Sequence, residues 1–312
     1  MSAALLEAFQ TETGIAVEYV AYDYTEQALE QLRQGAEYDL MVVGSHRIPL
    51  LVAESTIVPL NYANIPNARN IGLNFRDLSF DPGNRYSVIY QWGTTGLLVR
   101  TDLINRPITR WTDLWDPVLD GKILLWHIPR DIVSVLLKSL GYSINTTDPV
   151  LLEKARQQAP ALAQRVGLAR AGDETAVSYL ASGEYVVALS WSYDAILARE
   201  QPVPISYVIP VDGTILWFDC LVIPASSSRK VLAERFIDFL LRPDISALAT
   251  NLTGYPTAND AALDLIDPVL RADAKVFPSP EILMNAEVEA ALDPTTLAIH
   301  EQIWQTFVRG RP

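Results

Sequence analysis

The sequence predicts an α/β fold of two lobes, each a sheet flanked by helices. Three observations carry this expectation. The 312 residues, 49% of them hydrophobic, suffice for roughly two compact domains at about 150 residues each. Short apolar runs alternate along the chain with amphipathic stretches of helical period, the rhythm of strands separated by helices. Two strand-like stretches, Tyr86–Arg100 and Ile215–Ile223, fall where the chain would pass between lobes, and two crossings imply a cleft lined by both. The expected division is 1–97 with 224–256 in one lobe and 98–223 with 257–312 in the other.

Leu5, Leu6 and Phe9 recur at helical spacing before Thr13-Gly14, after which Ile15 to Tyr19 alternates as a strand does. Thr25 to Gln34 predicts a helix stopped by Gly35, and Tyr38 to Gly44 is a short apolar run suited to a buried parallel strand. Pro49 to Glu54 reads as a short helix, and Asn61 to Asn84, rich in Asn, Pro and Gly, as a long surface connection. Within Tyr86–Arg100, the run Trp92-Gly93-Thr94-Thr95-Gly96 interrupts a strand pattern and marks the first crossing. Ile123–Trp126 predicts a strand, Arg130–Leu140 a helix ended by Gly141, and Thr147-Asp148-Pro149 opens another helix with proline in its first turn. Tyr185–Trp191, Ile205–Ile209 and Ile215–Ile223 read as strands, the last being the second crossing. Val231–Leu241 is an amphipathic helix halted by Pro243, and Pro294–Val308 closes the chain with Leu297, Ile303, Trp304 and Phe307 available to cover a core.

Composition narrows the function. Against 37 acidic residues stand 24 Lys and Arg, a net charge of −13, which repels phosphate backbones and anionic lipid and welcomes cations. Nucleic acid is therefore not an expected partner. One cysteine, Cys220, and three histidines make no disulfide and no zinc cluster, so neither metal nor cofactor is expected. No window is apolar enough to span a membrane, and Met1–Gln10 lacks the basic start and long apolar core of a secretory leader. Phosphate-binding, dinucleotide-binding, zinc-protease and nucleophile-elbow motifs are all missing. Ser45-His46 as nucleophile and base is disfavoured because adjacent strand residues point to opposite faces. A carboxylate-dependent hydrolase remains the enzyme alternative, resting only on the abundance of acids.

One strand carries more information. In Ile215–Ile223 a single charge, Asp219, lies among apolar residues, and the period of two puts Trp217 on its face. An aromatic plane beside a carboxylate is a receptor for an organic cation, combining a charge-assisted hydrogen bond with roughly 0.5–2 kcal/mol of cation–π attraction. The competing reading is an internal salt bridge to an arginine. Trp191 ends a strand where α/β sheets receive ligands, core packing being its alternative. Asp131 and Asp194 open helices, where they would complement the dipole. Trp92, at the crossing, is either a cleft wall or hinge packing, while Trp111, Trp115 and Trp304 read as core.

Several segments together resemble the spermidine/putrescine-binding proteins of polyamine ABC transporters, within the type II periplasmic solute-binding family. They are Phe9-x-x-Glu12-Thr13-Gly14-Ile15-x-Val17, Tyr38-Asp39-Leu40, Tyr90-x-Trp92-Gly93-Thr94-Thr95, Trp111-Thr112-Asp113-Leu114-Trp115, Leu140-Gly141-Tyr142-Ser143 through Asp148-Pro149, Phe239-Leu240-Leu241-Arg242-Pro243-Asp244 and Gly254-Tyr255-Pro256-Thr257-x-Asn259. The resemblance spans nearly the whole chain. It implies two α/β lobes joined by hinge strands, closing over a linear polyamine and delivering it to permease subunits, without chemistry on the ligand. It implies a monomer in the periplasm or anchored outside the cytoplasmic membrane, with another cationic or polar solute as the alternative ligand. Trp217 and Asp219 match an aromatic wall and the main ammonium carboxylate, and Trp191 matches a second wall. Asp131 stands where a glutamate for a distal amine is usual, Tyr255 matches a site tyrosine, and Asn285 stands near a glutamine. Gly44 and His46 stand where a Ser and a Tyr are usual and Ile128 where another acid is, and the shorter Asp131 side chain with that lost acid favours a diamine or an altered ligand over spermidine. The match begins inside the helix that follows the family's first strand, so leader and strand lie outside the sequence as it stands.

Overall fold

The structure, a computed structural model, describes residues 1–22, 24–170 and 174–312. In chain order its helices are α1 (Ala3–Thr13), α2 (Thr25–Arg33), α3 (Ile48–Ala53), α4 (Pro129–Ser139), α5 (Pro149–Ala163), α6 (Ala176–Ser182), α7 (Asp194–Arg199), α8 (Lys230–Leu240), α9 (Pro243–Thr253), α10 (Pro268–Arg271), α11 (Pro280–Leu283) and α12 (Pro294–Arg309). The strands are β1 (Met41–Gly44), β2 (Ser87–Arg100), β3 (Ile123–Trp126), β4 (Val166–Ala169), β5 (Val187–Trp191), β6 (Ile205–Val208), β7 (Ile215–Val222) and β8 (Glu287–Val288). Two compact units result, 1–93 with 217–277 and 94–216 with 278–312. Hydrogen bonding joins segments distant in sequence within the first unit. Asp219 to Val222 pair with Gly44 to Met41, and Thr257 and Asn259 bridge Gln91 and Ile71.

In the first unit Ser2 caps α1, Gly14 ends it at φ 72°, and its Leu5 and Phe9 are buried. Phe9 meets Phe236 and Phe239 of α8 edge-on, with centroids 4.7 and 5.2 Å away. β1 pairs antiparallel with β7, from Met41↔Val222 to Gly44↔Asp219, so the strand read as parallel has an antiparallel partner. The expected strand at Ile15–Tyr19 does not form. Side chains hold backbone groups of β1 that such a ladder would use. The Tyr22 hydroxyl accepts the Val42 N–H at 2.8 Å and donates to the Val42 carbonyl at 2.5 Å, while Thr25 Oγ1 accepts the Gly44 N–H at 3.1 Å. Those groups are satisfied, which also blunts a sheet edge.

β2 is unbroken and buried at every position, despite the expected interruption. Gly96 serves close approach here, since a Cβ would lie 2.4 Å from the Val208 carbonyl oxygen of β6. In the second unit Thr95–Val99 pairs antiparallel with β5 and Leu97–Arg100 with β6. β5, β3 and β4 run parallel, with Ile123↔Val187 and Trp126↔Ala169 as ladder pairs. The core gathers Leu97, Leu125 and Leu189 from strands with Leu136, Ile303 and Phe307 from α4 and α12, each contributing about 1.5–3 kcal/mol by burial. Trp111 and Trp304 are buried in it and Trp115 packs against it. The parallel strands β3 and β5 end together, the place where α/β sheets carry ligand sites.

Candidate ligand-binding site

In the first unit, β7 alternates partly exposed Trp217 and Asp219 with buried Phe218 and Cys220, so the aromatic and the acid share a face. Asp219 pairs with Gly44, and a Cβ on Gly44 would come within 2.8 Å of His46 Cε1, which places the imidazole over that residue. His46 and Ser45 belong to a 3₁₀ turn, not the strand read from sequence. Among the described residues no arginine or lysine pairs with the Asp219 carboxylate, and no hydrogen bond reaches it. Burial pushes its pKa up to about 6, against the pull of His46 and the Met1 amino group. The acid is desolvated yet retains partial exposure.

Other groups surround it. Among the described residues, the Tyr90 hydroxyl and the Trp217 indole N–H are buried without a hydrogen-bond partner. Burial first, then the charge of Asp219, raises the Tyr90 pKa above its usual value; Tyr22 rises to about 12, again chiefly by burial. Tyr255 meets Trp217 edge-on, with centroids 5.1 Å apart at 83°. Its segment is clamped by β2: Gln91 Nε2 donates to the Tyr255 carbonyl at 3.3 Å, and Trp92 donates its backbone N–H to Pro256 at 3.0 Å and its indole N–H to Thr257 at 3.1 Å. Trp92 itself is buried, its ring 5.7 Å from Phe75, so it packs behind the Tyr255 segment.

The second unit assembles a different group. Trp191 ends β5, partly exposed, and stacks on Trp126 at the end of β3, with centroids 5.6 Å apart at 19°. Asp131 lies in the first turn of α4, with apolar Ile128 at the cap position before it. Asp194 is buried and takes a hydrogen bond from the Ser190 hydroxyl, while desolvation raises its pKa. Asn285 is exposed, its backbone carbonyl facing Gly213.

Tyr22, Tyr90 and Trp126 escaped the sequence reading. Tyr90 stood two residues before Trp92, on the same face of one strand, and Trp126 closes its strand with an indole as Trp191 does. Those were the available signals. Among the described residues no group of three or more His, Cys, Asp or Glu side chains could hold a metal ion, and no helix is long and apolar enough to cross a membrane.

A carboxylate without an arginine or lysine partner among the described residues, flanked by indole and phenol, suits capture of an organic cation. Residues 4–278 match the bacterial extracellular solute-binding protein family. The chain belongs to that family. A relative from Escherichia coli K12, a spermidine/putrescine-binding periplasmic protein, is 34% identical over 310 residues, covering 98% of this chain and 88% of its own. A solved chain from Listeria monocytogenes, described as belonging to a spermidine/putrescine ABC transporter, superposes with TM-score 0.93 at 31% identity, over 100% of this chain and 96% of its own. The spermidine/putrescine substrate-binding protein PotD of Streptococcus pneumoniae, solved with calcium and HEPES, gives TM-score 0.85 at 29% identity over the same shares, 100% and 96%. The fold is the type II periplasmic solute-binding fold.

Proposed function

We propose that this member of the solute-binding family serves an ABC importer, taking up a putrescine- or spermidine-type polyamine outside the cytoplasmic membrane and passing it unchanged to the permease. One observation carries the reading: Asp219, on an apolar strand beside Trp217, has no arginine, lysine or hydrogen-bonding partner among the described residues. An ammonium would supply that partner, draw the carboxyl pKa back down from about 6 and lie against the indole face. Trp191 and Asp131 offer the same two chemistries in the second unit. The names of the relatives support the same ligand class.

A diamine is the preferred solute. Asp131 is shorter than the glutamate expected there, and apolar Ile128 offers a third ammonium nothing. A second reading, a solute carrying an acceptor beside its ammonium, draws on the buried Trp217 indole N–H, a donor that no protonated amine can satisfy. Calorimetric titration with putrescine, cadaverine, spermidine, spermine and the zwitterion γ-aminobutyrate separates these. Tightest binding by putrescine or cadaverine, with the amine recovered intact, is the expected result. Preference for spermidine refutes the diamine, preference for the zwitterion favours the second reading, and consumption of the amine would make the protein an enzyme.

A further inference from the structure

We propose that Trp126 is the positioning residue for the Trp191 indole, fixing the plane of that aromatic surface before any ligand arrives. The inference rests on reading Trp191 as a contact for the amine, but its physical core concerns the ligand-free protein. Ladder pairing between β3 and β5 runs through Ile123↔Val187 and Leu124↔Ala188. Past that point the Trp126 indole N–H continues the coupling, donating to the Leu189 carbonyl at 2.9 Å. That bond orients a ring only 6% exposed, and the oriented ring stacks on Trp191 at 5.6 Å and 19°, within the range of favourable offset stacking.

The backbone of Trp191 is held as well, by its pairing with Thr95 of β2. The ring is a separate matter, because an indole at the end of a strand has two rotatable bonds that nothing in the ladder fixes. Trp126 covers one face of that ring, so a single orientation remains and the partial exposure of Trp191 is left to the rest of its surface. An aromatic surface ordered in advance loses less side-chain freedom when a ligand docks. Trp126, itself buried, acts only through Trp191.

The test uses the full chain labelled with 5-fluorotryptophan, with the Trp191 fluorine resonance identified by its disappearance in Trp191→Phe. Without ligand, Trp126→Leu is expected to broaden or split that resonance. Trp126→Phe, which keeps an aromatic face but loses the indole N–H, should shift it less and protects the experiment should the leucine variant fold poorly. Putrescine affinity should fall about tenfold in Trp126→Leu and about threefold in Trp126→Phe. In a Trp191→Ala background, Trp126→Phe should change affinity no further, which a general loss of stability would not reproduce. A single narrow Trp191 resonance at its original position in both Trp126 variants overturns the proposal. Should Trp191→Phe leave putrescine binding untouched, the amine reading of Trp191 fails, while the ligand-free spectra still decide what Trp126 does.

Discussion

An ionised carboxylate withdrawn from water is costly, and the raised pKa of Asp219 expresses that cost in spite of the pull of His46 and the Met1 amino group. The same feature makes it a selective receptor, since an ammonium relieves the cost and a neutral solute does not. Asp219→Asn keeps the size of the side chain and removes the charge, so putrescine affinity should fall by 100-fold or more, on the scale of about 3 kcal/mol for a desolvated charge pair. Calorimetry on the variant measures it. Wild-type affinity should be flat above about pH 7 and decline roughly tenfold per unit below the Asp219 pKa of about 6, because a proton then competes with the amine. His46, the Met1 amino group, Tyr22 and Tyr90 share that electrostatic environment; an Asp219→Asn control isolates the carboxylate, since its component of the profile disappears. Trp217 and Asp219 were readable from sequence because a strand's period of two is local. Tyr22 and Tyr90 were not, because Tyr22 reaches that neighbourhood through its hydroxyl's bonds to Val42 of β1 and Tyr90 through the place of β2 beside β7 in the sheet.

At the scale of elements, the edge of β1 shows how side chains substitute for a strand. The Tyr22 hydroxyl serves both the N–H and the carbonyl of Val42, and Tyr22→Phe would strip both. A loss of about 1–3 kcal/mol is expected in urea denaturation, the cost of leaving such groups poorly satisfied. Gly96→Ala should cost a similar 1–3 kcal/mol or more by overpacking, since its Cβ would press on the Val208 backbone at 2.4 Å; an unchanged denaturation midpoint would remove close approach as the reason for glycine there. Much of this level was legible. The end of α1 at Gly14 and the opening of α5, where Asp148 caps ahead of Pro149, follow from chemistry within a few residues. Pairing did not follow: Ile15 to Tyr19 has the alternation of a strand and no ladder, β1 met an antiparallel partner, and the glycines of β2 read as a break when Gly96 serves contact with β6. β4 and α6 were not picked out at all, being short and flanked by masking patterns of mixed polarity. Alternation reports which faces are apolar, while the identity of the neighbour is decided by segments far away in the chain.

For the molecule as a whole, two buried groups, Asp219 and His300, respond to acid in opposite senses. Asp219 in the first unit has a folded pKa of about 6, above its ordinary 3.8. The folded state therefore binds the proton more readily, and this group's contribution to stability falls as pH rises from about 4 to about 6. His300 in the second unit, buried on α12, has its pKa lowered from 6.5 to about 4, first by burial and then by Arg130, against the influence of Glu289. There the unfolded state binds the proton more readily, so stability is lost as pH falls from about 6.5 to about 4. Each contribution is on the order of 3 kcal/mol at full extent, and Asp194, raised by burial, acts in the sense of Asp219. Asp244, which the Arg242 guanidinium holds below the usual carboxylate range, withdraws its contribution only below about pH 4. The interval from 6 to 4 is thus governed by the buried groups. Urea titrations at pH 4.5 and 7 should show Asp219→Asn gaining on the wild type at pH 7 and losing that advantage at pH 4.5. His300→Gln should gain at pH 4.5 relative to its standing at pH 7. Equal differences at both pH values for either variant would mean that its group titrates alike in the folded and unfolded chain, and for Asp219 that result would also remove the desolvated carboxylate on which selective capture of an ammonium depends.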